Sequence, residues 1–258
     1  MKDKNIRIIA RLDIKGSNLV KGVHLEGLRV IGNPNEFAKE YYRQGIDEIF
    51  YHDCVASLYG RKSSLEFIKI ASSNIFVPLT VGGGISSVED AHNIFRSGAD
   101  KISINSAAIS RPKLIREIAD CFGSQSLVLS VEAKKISYNS WEAYTENGRE
   151  RTGKNVNDWI REAIDLGIGE LLITSIDKEG TGTGCDLELL KTISSYSKIP
   201  IIASGGIGKP DDFIKAIEVG GADAVAIAHM LHYKNYKVRD IRDLAIAKGL
   251  KVRNYEKK

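Results

Sequence analysis

Short apolar runs rich in β-branched residues recur along the chain near residues 6–13, 47–53, 77–81, 100–104, 126–132, 169–175, 199–204 and 223–228. Bounded by Gly, Pro and acidic residues, they read as buried strands. Between them lie segments with helical periodicity. "PNEFAKEYYRQG" has Pro at its start and Gly at its end, and "NVNDWIREAIDLG" starts on polar residues and stops at Gly167. Strands alternating with helices predict βα units on a parallel sheet. Eight such units in 258 residues fit an α/β fold, a single (β/α)₈ TIM barrel. An open doubly wound sheet has the same alternation but gives no reason for two matching halves.

The two halves do match. "FVPLTVGGGISSVEDA", ending at Ala91, returns as "KIPIIASGGIGKPDDF", ending at Phe213, and "GADKISINSAA" from Gly98 returns as "GADAVAIAHML" from Gly221. "DEIFYHD", ending at Asp53, matches "GELLITSID", ending at Asp177, and "IIARLD", ending at Asp13, matches "LVLSVE", ending at Glu132. The four registers agree on a period of about 120 residues, far longer than the ~20–50 of a solenoid unit. The expectation is one barrel domain over residues 1–258, built from half-repeats near 5–120 and 125–245 with two-fold pseudo-symmetry.

Composition narrows the partners. Lys and Arg total 37 against 33 Asp and Glu, scattered rather than blocked, so no nucleic-acid partner is expected. A phosphorylated small molecule fits this balance. Cys54, Cys121 and Cys185 lack the spacing of a zinc site or a disulfide framework and read as reduced thiols. The N-terminal "MKDKNIRIIARLD" has too short an apolar run for a secretory signal, and no run is long enough to span a bilayer. The expectation is a cytoplasmic protein with no membrane partner.

Barrel active sites lie at the C-terminal ends of the strands. Those ends carry Asp13, Asp53, Glu132 and Asp177, with Asn105 and Ser106 after the fourth run. A single acid there can merely cap the next helix, but Asp13 and Glu132 sit at equivalent ends of the two halves and suit an acid–base pair. The glycine clusters "VGGGI" and "SGGIG" read either as tight turns or as two anion sites on opposite sides of one mouth. At the other end, Arg7, Glu48, Lys101 and Glu170 form either a ring across the barrel floor or solvated strand starts. No histidine cluster suggests a metal, no cofactor is expected, and Trp141 reads as part of a loop over the mouth rather than of the core.

Taken together, "LVKG" at Lys21, "LTVGGGI", "GADKISINSAA", "LLITSIDKEGT" and "IIASGGIGK" resemble the cyclase subunit of imidazole glycerol phosphate synthase, the HisF-type barrel, over essentially the whole chain. The resemblance implies an ammonia-dependent lyase and cyclase of histidine biosynthesis. Its substrate is a bis-phosphorylated formimino-ribulosyl aminoimidazole carboxamide ribonucleotide. It further implies a heterodimer with a glutaminase (HisH-type) subunit docked at the barrel floor, from which ammonia travels along the axis. Residue by residue it implies Asp13 as general acid, the strand-five carboxylate Glu132 as general base, and Lys21 on a loop that closes over substrate. Gly84, Asn105 and Ser106 would hold one phosphate, and Glu179, Gly180, Ser204, Gly206, Ala228 and His229 would lie near the other, with Asp53 and Asp177 beside the substrate. Arg7, Glu48, Lys101 and Glu170 would be the ammonia gate.

The sequence departs from the family pattern at the reacting centre. Glu132 stands where the family has Asp, Arg11 where it usually has a small Cys, His229 for Ser and Glu179 for Asp. Arg11 faces inward two residues before Asp13 and needs an anionic partner, so it is expected to reach Asp13 or Glu132. These changes leave a second reading open, a paralogue that delivers ammonia from a glutaminase for amidine formation on surface-glycan sugars. The related barrel isomerase acting on the preceding intermediate needs no gate.

Overall fold

Inward and outward positions alternate along each strand, and both faces are covered, which explains why the runs are continuously apolar rather than alternating. The computed structural model describes residues 5–56, 59 and 65–254; the expected domain limits at 1 and 258 lie outside them. In chain order the strands are β1 (Arg7–Lys15), β2 (Asn18–Val23), β3 (Glu26–Gly32), β4 (Glu48–Asp53), β5 (Leu79–Gly82) and β6 (Lys101–Ile104). They continue with β7 (Leu127–Ser137), β8 (Ser140–Thr145), β9 (Glu150–Asn155), β10 (Glu170–Ser175), β11 (Ile201–Ser204) and β12 (Ala224–Ile227). The helices are α1 (Pro34–Arg43), α2 (Leu65–Ser72), α3 (Val88–Arg96), α4 (Ser106–Ser110), α5 (Lys113–Phe122), α6 (Val156–Asp165), α7 (Leu187–Ser194), α8 (Pro210–Glu218), α9 (His229–His232) and α10 (Val238–Ala247).

Eight strands pair in parallel in the order β1, β4, β5, β6, β7, β10, β11, β12, and β12 returns to β1, closing the barrel. The outward Ile8, Ala10 and Leu12 belong to the large core between strands and helices, while Ile9, Phe50, Val128, Leu172, Ile202 and Ala224 form a separate apolar cluster inside the barrel. The remaining four strands are two antiparallel hairpins. One extends β1 through β2 and β3; the other extends β7 through β8 and β9. Each therefore grows from the strand that opens its half of the repeat, just past Asp13 and Glu132.

The repeat extends to single hydrogen bonds. Asp100 accepts from the Leu79 amide at 2.8 Å, and its counterpart Asp223 accepts from the Ile201 amide at 2.9 Å. Asp90 accepts from Ser86 N–H at 3.1 Å and Asp212 from Gly208 N–H at 3.0 Å. The caps that start α3 and α8, Ser87 and Lys209, have nearly the same backbone angles, φ −147° and ψ 163° against φ −148° and ψ 162°.

Trp141 corrects the sequence reading. It lies on β8, fully buried in the large core, with Nε1 donating to Asp186 at 2.9 Å. The segment looks polar because its neighbour Glu142 is charged, but that carboxylate takes bonds from Arg151 and from the Gly153 amide. The tryptophan is left free to pack inward.

The barrel is also tied at its N-terminal end by Asp47, which accepts from the Ile8 amide at 2.9 Å and pairs with Arg242 at 2.9 Å, both side chains being buried. Asp47→Ala leaves that guanidinium without its anion, and breaking a buried pair costs about 3 kcal/mol. Chemical denaturation should register a loss of that order, whereas Asp243→Ala, which breaks the exposed Arg239–Asp243 pair, should change stability by less than about 1 kcal/mol.

Candidate active site at the barrel mouth

The axis of the barrel is lined in layers. At the floor, Arg7 bonds Glu48 at 2.8 Å and also Glu170, while Lys101 bonds Glu170 at 2.8 Å and Glu48 at 3.3 Å. Thr80 donates to Glu48 at 2.7 Å. These are the four residues expected at the floor, and the structure joins them into one closed ring of two cations and two anions. Above it sits the apolar layer of Ile9, Phe50, Val128, Leu172 and Ile202.

The next layer holds Arg11, only 2% exposed. Its Nε donates to Asp13 Oδ1 at 2.9 Å, and its Nη1 donates to Thr174 Oγ1 at 2.9 Å and Ser204 Oγ at 3.2 Å. Because β12 and β11 lie between β1 and β10 around the barrel, a bond from Arg11 to Thr174 stretches the guanidinium across the lumen. Of its two expected partners, Arg11 takes Asp13.

The mouth carries the two carboxylates in contrasting surroundings. Burial favours the neutral form of Asp13, but Arg11, Lys21 and His52 outweigh it and hold the group down at about 2. Glu132 is equally buried, and burial pushes it up to about 7; the Gly148 amide, bonded at 2.7 Å, and the more distant Arg11 offset this only in part, while Asp13 and Glu146 reinforce it. Burial, with Arg11, also lowers His52 to about 4.

Two glycine turns flank the carboxylates. Gly83 and Gly84 have φ of 97° and 69°, and Gly205 and Gly206 have 92° and 89°, conformations that favour glycine. At Gly83 a Cβ would strike the Asp53 carbonyl oxygen at 2.2 Å. The first turn opens on a cavity of about 480 Å³ reached by Gly84, Asn105, Ser106, His52 and Glu132. There α4 begins at Asn105 with no side-chain cap, and Asn105 Oδ1 is buried without a hydrogen-bond partner. The second turn, with Gly180, Ser204, Ala228 and His229, leaves a space of only about 10 Å³. Glu179 lines it and is held in a buried ion pair by Lys21. Burial and Lys21 both disfavour the charged form of His229, lowering its pKa.

Two expected residues fall elsewhere. Strand alternation from Glu48 puts Phe50 and His52 inside, so Asp53 turns outward, lines the space toward Ile68 of α2, and accepts from Val55 N–H at 3.2 Å. Asp177 lies past the end of β10, exposed, and accepts from Lys135 N–H at 2.9 Å. The inward residues at those strand ends are His52 and Thr174, which the sequence reading missed. The period-two count that placed Arg11 finds both when applied to β4 and β10. Among the described residues there is no group of three or more His, Cys, Asp or Glu able to hold a metal, and no helix is long and apolar enough to cross a membrane.

A sequence model of the family described as "Histidine biosynthesis protein" matches residues 7–237. Among individual relatives, the imidazole glycerol phosphate synthase subunit HisF of Legionella pneumophila is 59% identical over 209 residues, 81% of this chain and 99% of that protein. The proteins of the same name from Thermococcus onnurineus and Pyrococcus furiosus are each 45% identical, over 96% of this chain and 98% of their own length.

The surroundings of Glu132 have a consequence for stability. Its pKa is raised on folding from an ordinary 4.5 to about 7, so its contribution is fully present below 4.5 and is lost as pH rises through 7. Glu132→Gln removes that dependence. At pH 8 the variant should be more stable than the parent by up to about 3 kcal/mol, and at pH 4.5 the difference should largely vanish, as read by denaturant unfolding at the two pH values.

Proposed function

The chain belongs to the histidine biosynthesis protein family as a HisF-type cyclase subunit, and from that premise we propose that ring closure takes place at the barrel mouth between Asp13 and Glu132. The reaction is the ammonia-dependent lyase and cyclase step that forms imidazole glycerol phosphate and aminoimidazole carboxamide ribonucleotide from the bis-phosphorylated formimino-ribulosyl substrate. One observation carries the assignment of the site. Two buried carboxylates stand at matching strand ends of the two half-barrels, over one lumen, with a glycine turn on either side. The alternative of an ammonia-delivery paralogue for surface-glycan sugars is not favoured, because the Legionella, Thermococcus and Pyrococcus relatives are subunits of the histidine-pathway synthase.

The chemistry of each part follows from its position. Gly84, in the turn after β5, and Asn105 and Ser106, at the start of α4, line the larger cavity together, and this is the place for one phosphate. Gly180, Gly206, Ala228 and His229 surround the place for the other. There Lys21 already points inward, held by Glu179, and a phosphate arriving beside it offers the ammonium a second anionic partner. The β2–β3 hairpin that carries Lys21 packs through Leu25 against Tyr144 and Ile176, so that binding at this phosphate and closure of the mouth are coupled. Water is thereby kept from the reacting atoms, which strengthens every charge–charge interaction within.

At the opposite end, Arg7, Glu48, Lys101 and Glu170 are the gate for ammonia delivered by a glutaminase subunit docked on the floor, and the protein works as that cytoplasmic heterodimer. What supports this is the balance of the ring. Its charges are mutually paired, so it can part around a small neutral molecule without exposing an unpaired ion to the apolar layer above.

The assay is imidazole glycerol phosphate formation from the bis-phosphorylated substrate with ammonium salt. The parent chain should turn over, and Asp13→Asn and Glu132→Gln should each lose at least about a hundred-fold in kcat with the fold intact. Lys101→Ala should spare ammonium-driven turnover while impairing the glutamine-driven reaction of the complex. Equal losses with both nitrogen sources would contradict a channel.

A further inference from the structure

The mouth holds two buried cations, Arg11 and Lys21, and three buried acids, Asp13, Glu132 and Glu179. Lys21 takes Glu179 and Arg11 takes Asp13. That leaves Glu132, whose carboxylate is bonded by a backbone amide, that of Gly148, and by no cation among the described residues. The groups facing it are Arg11 and Asp13 from β1 and Glu146 from the β8–β9 turn. Asp13 is faced by Arg11 of its own strand, Lys21 of β2, His52 of β4, Cys54 just beyond it and His232 of α9.

We propose that Arg11 is a positioning residue that sorts the two carboxyls into opposite roles: Asp13, tied to the guanidinium, is the ionised proton acceptor, and Glu132, left without a cation, is the protonated donor. This rests on the cyclase reading of the same site, and it inverts the order of acid and base that the family resemblance implies for these two positions. The physical requirement is that a catalytic pair have its two members in different protonation states at one pH. A guanidinium bonded to one carboxyl and not to the other imposes that difference before substrate arrives. The shifts of the two groups, down to about 2 for Asp13 and up to about 7 for Glu132, run in the same direction as the geometry.

The proton balance is simple. When ammonia adds to a substrate carbonyl, the C–N bond forms as the C=O π bond breaks. Asp13 takes a proton from nitrogen and Glu132 gives one to oxygen, leaving a neutral carbinolamine, a protonated Asp13 and an ionised Glu132. Exchange with solvent through the mouth resets the pair.

Arg11 also fixes where the acceptor sits. Its bonds to Thr174 and Ser204 anchor the guanidinium on the far wall of the lumen, so Asp13 is held by a group that is itself held at two further points. A lysine at this position would keep the charge with fewer fixed donors, and a methionine would keep the length without the charge.

Two readouts test this. In protein labelled with ¹³C at its Asp and Glu carboxyls, assigned with Asp13→Asn and Glu132→Gln, Glu132 should titrate near neutral pH and Asp13 should remain ionised down to pH 4. In turnover at constant free ammonia, kcat/KM should fall as pH rises through about 7, and Glu132→Gln should lose that limb; any limb common to all variants belongs to the substrate. Arg11→Met should lower kcat at least tenfold with KM within twofold, and bring an acid limb into the accessible range as Asp13 is released upward. Arg11→Lys should recover most of the rate. Arg11→Met with the parent's rate and pH profile would overturn the proposal, as would a Glu132 that titrates near 4.5 in the folded protein. Absence of turnover with ammonium at any pH would instead sink the cyclase reading, and the assigned roles with it, while the carboxyl titrations would still decide whether Arg11 sorts the pair.

Discussion

A guanidinium buried in the lumen of a barrel must find an anion, because desolvation of an unpaired charge costs several kcal/mol or more. Arg11 is that guanidinium, and the mouth is arranged around its neutralisation. It claims Asp13, borrows two hydroxyls from Thr174 and Ser204, and spans from β1 to β10 in doing so. Asp13, once claimed, is lost as a proton donor near neutral pH. The floor ring shows the other outcome of the same rule. With two cations and two anions it is complete in itself, and burial there leaves no acid over.

The acid left over at the mouth is connected to both hairpins. The amide bonded to Glu132 belongs to Gly148, in the turn between β8 and β9; its φ is 77°, and a Cβ there would meet Leu25 Cδ1 at 2.9 Å. Asn147, beside it, donates to the Leu25 carbonyl at 3.1 Å. Gly180 approaches the Gly22 carbonyl so closely that a Cβ would sit 2.4 Å from its oxygen. The two hairpins thus meet over the lumen, one bearing Lys21 and the other the donor to Glu132.

Much of this was legible in the sequence, for a physical reason. Strands buried on both faces give uninterrupted apolar runs, and a duplicated half-barrel writes the same turns twice, so the eight units, the floor ring and the two glycine turns follow from pattern alone. Asp13 and Glu132 stand out because they end matching runs, and both are buried. Asp53 and Asp177 end runs too, yet Asp53 turns outward and Asp177 lies exposed past its strand, since ending a run says nothing of which face a residue occupies. His52, one position earlier, points inward instead. Trp141 was hidden by its charged neighbour Glu142, whose partners, Arg151 and the Gly153 amide, only the folded hairpin supplies. The sequence placed Arg11 near an acid, but which acid depends on side-chain reach across a closed barrel, and no one-dimensional pattern encodes that.

The roles of Asp13 and Glu132 come down to where one proton resides, and neutron diffraction from deuterium-exchanged crystals of the substrate-free protein near pH 6 observes it directly. Sorting of the pair by Arg11 predicts nuclear density for a deuteron on a carboxyl oxygen of Glu132, none on Asp13, and a fully deuterated Arg11 guanidinium directed at Asp13. A deuteron on Asp13 with an ionised Glu132 would contradict it.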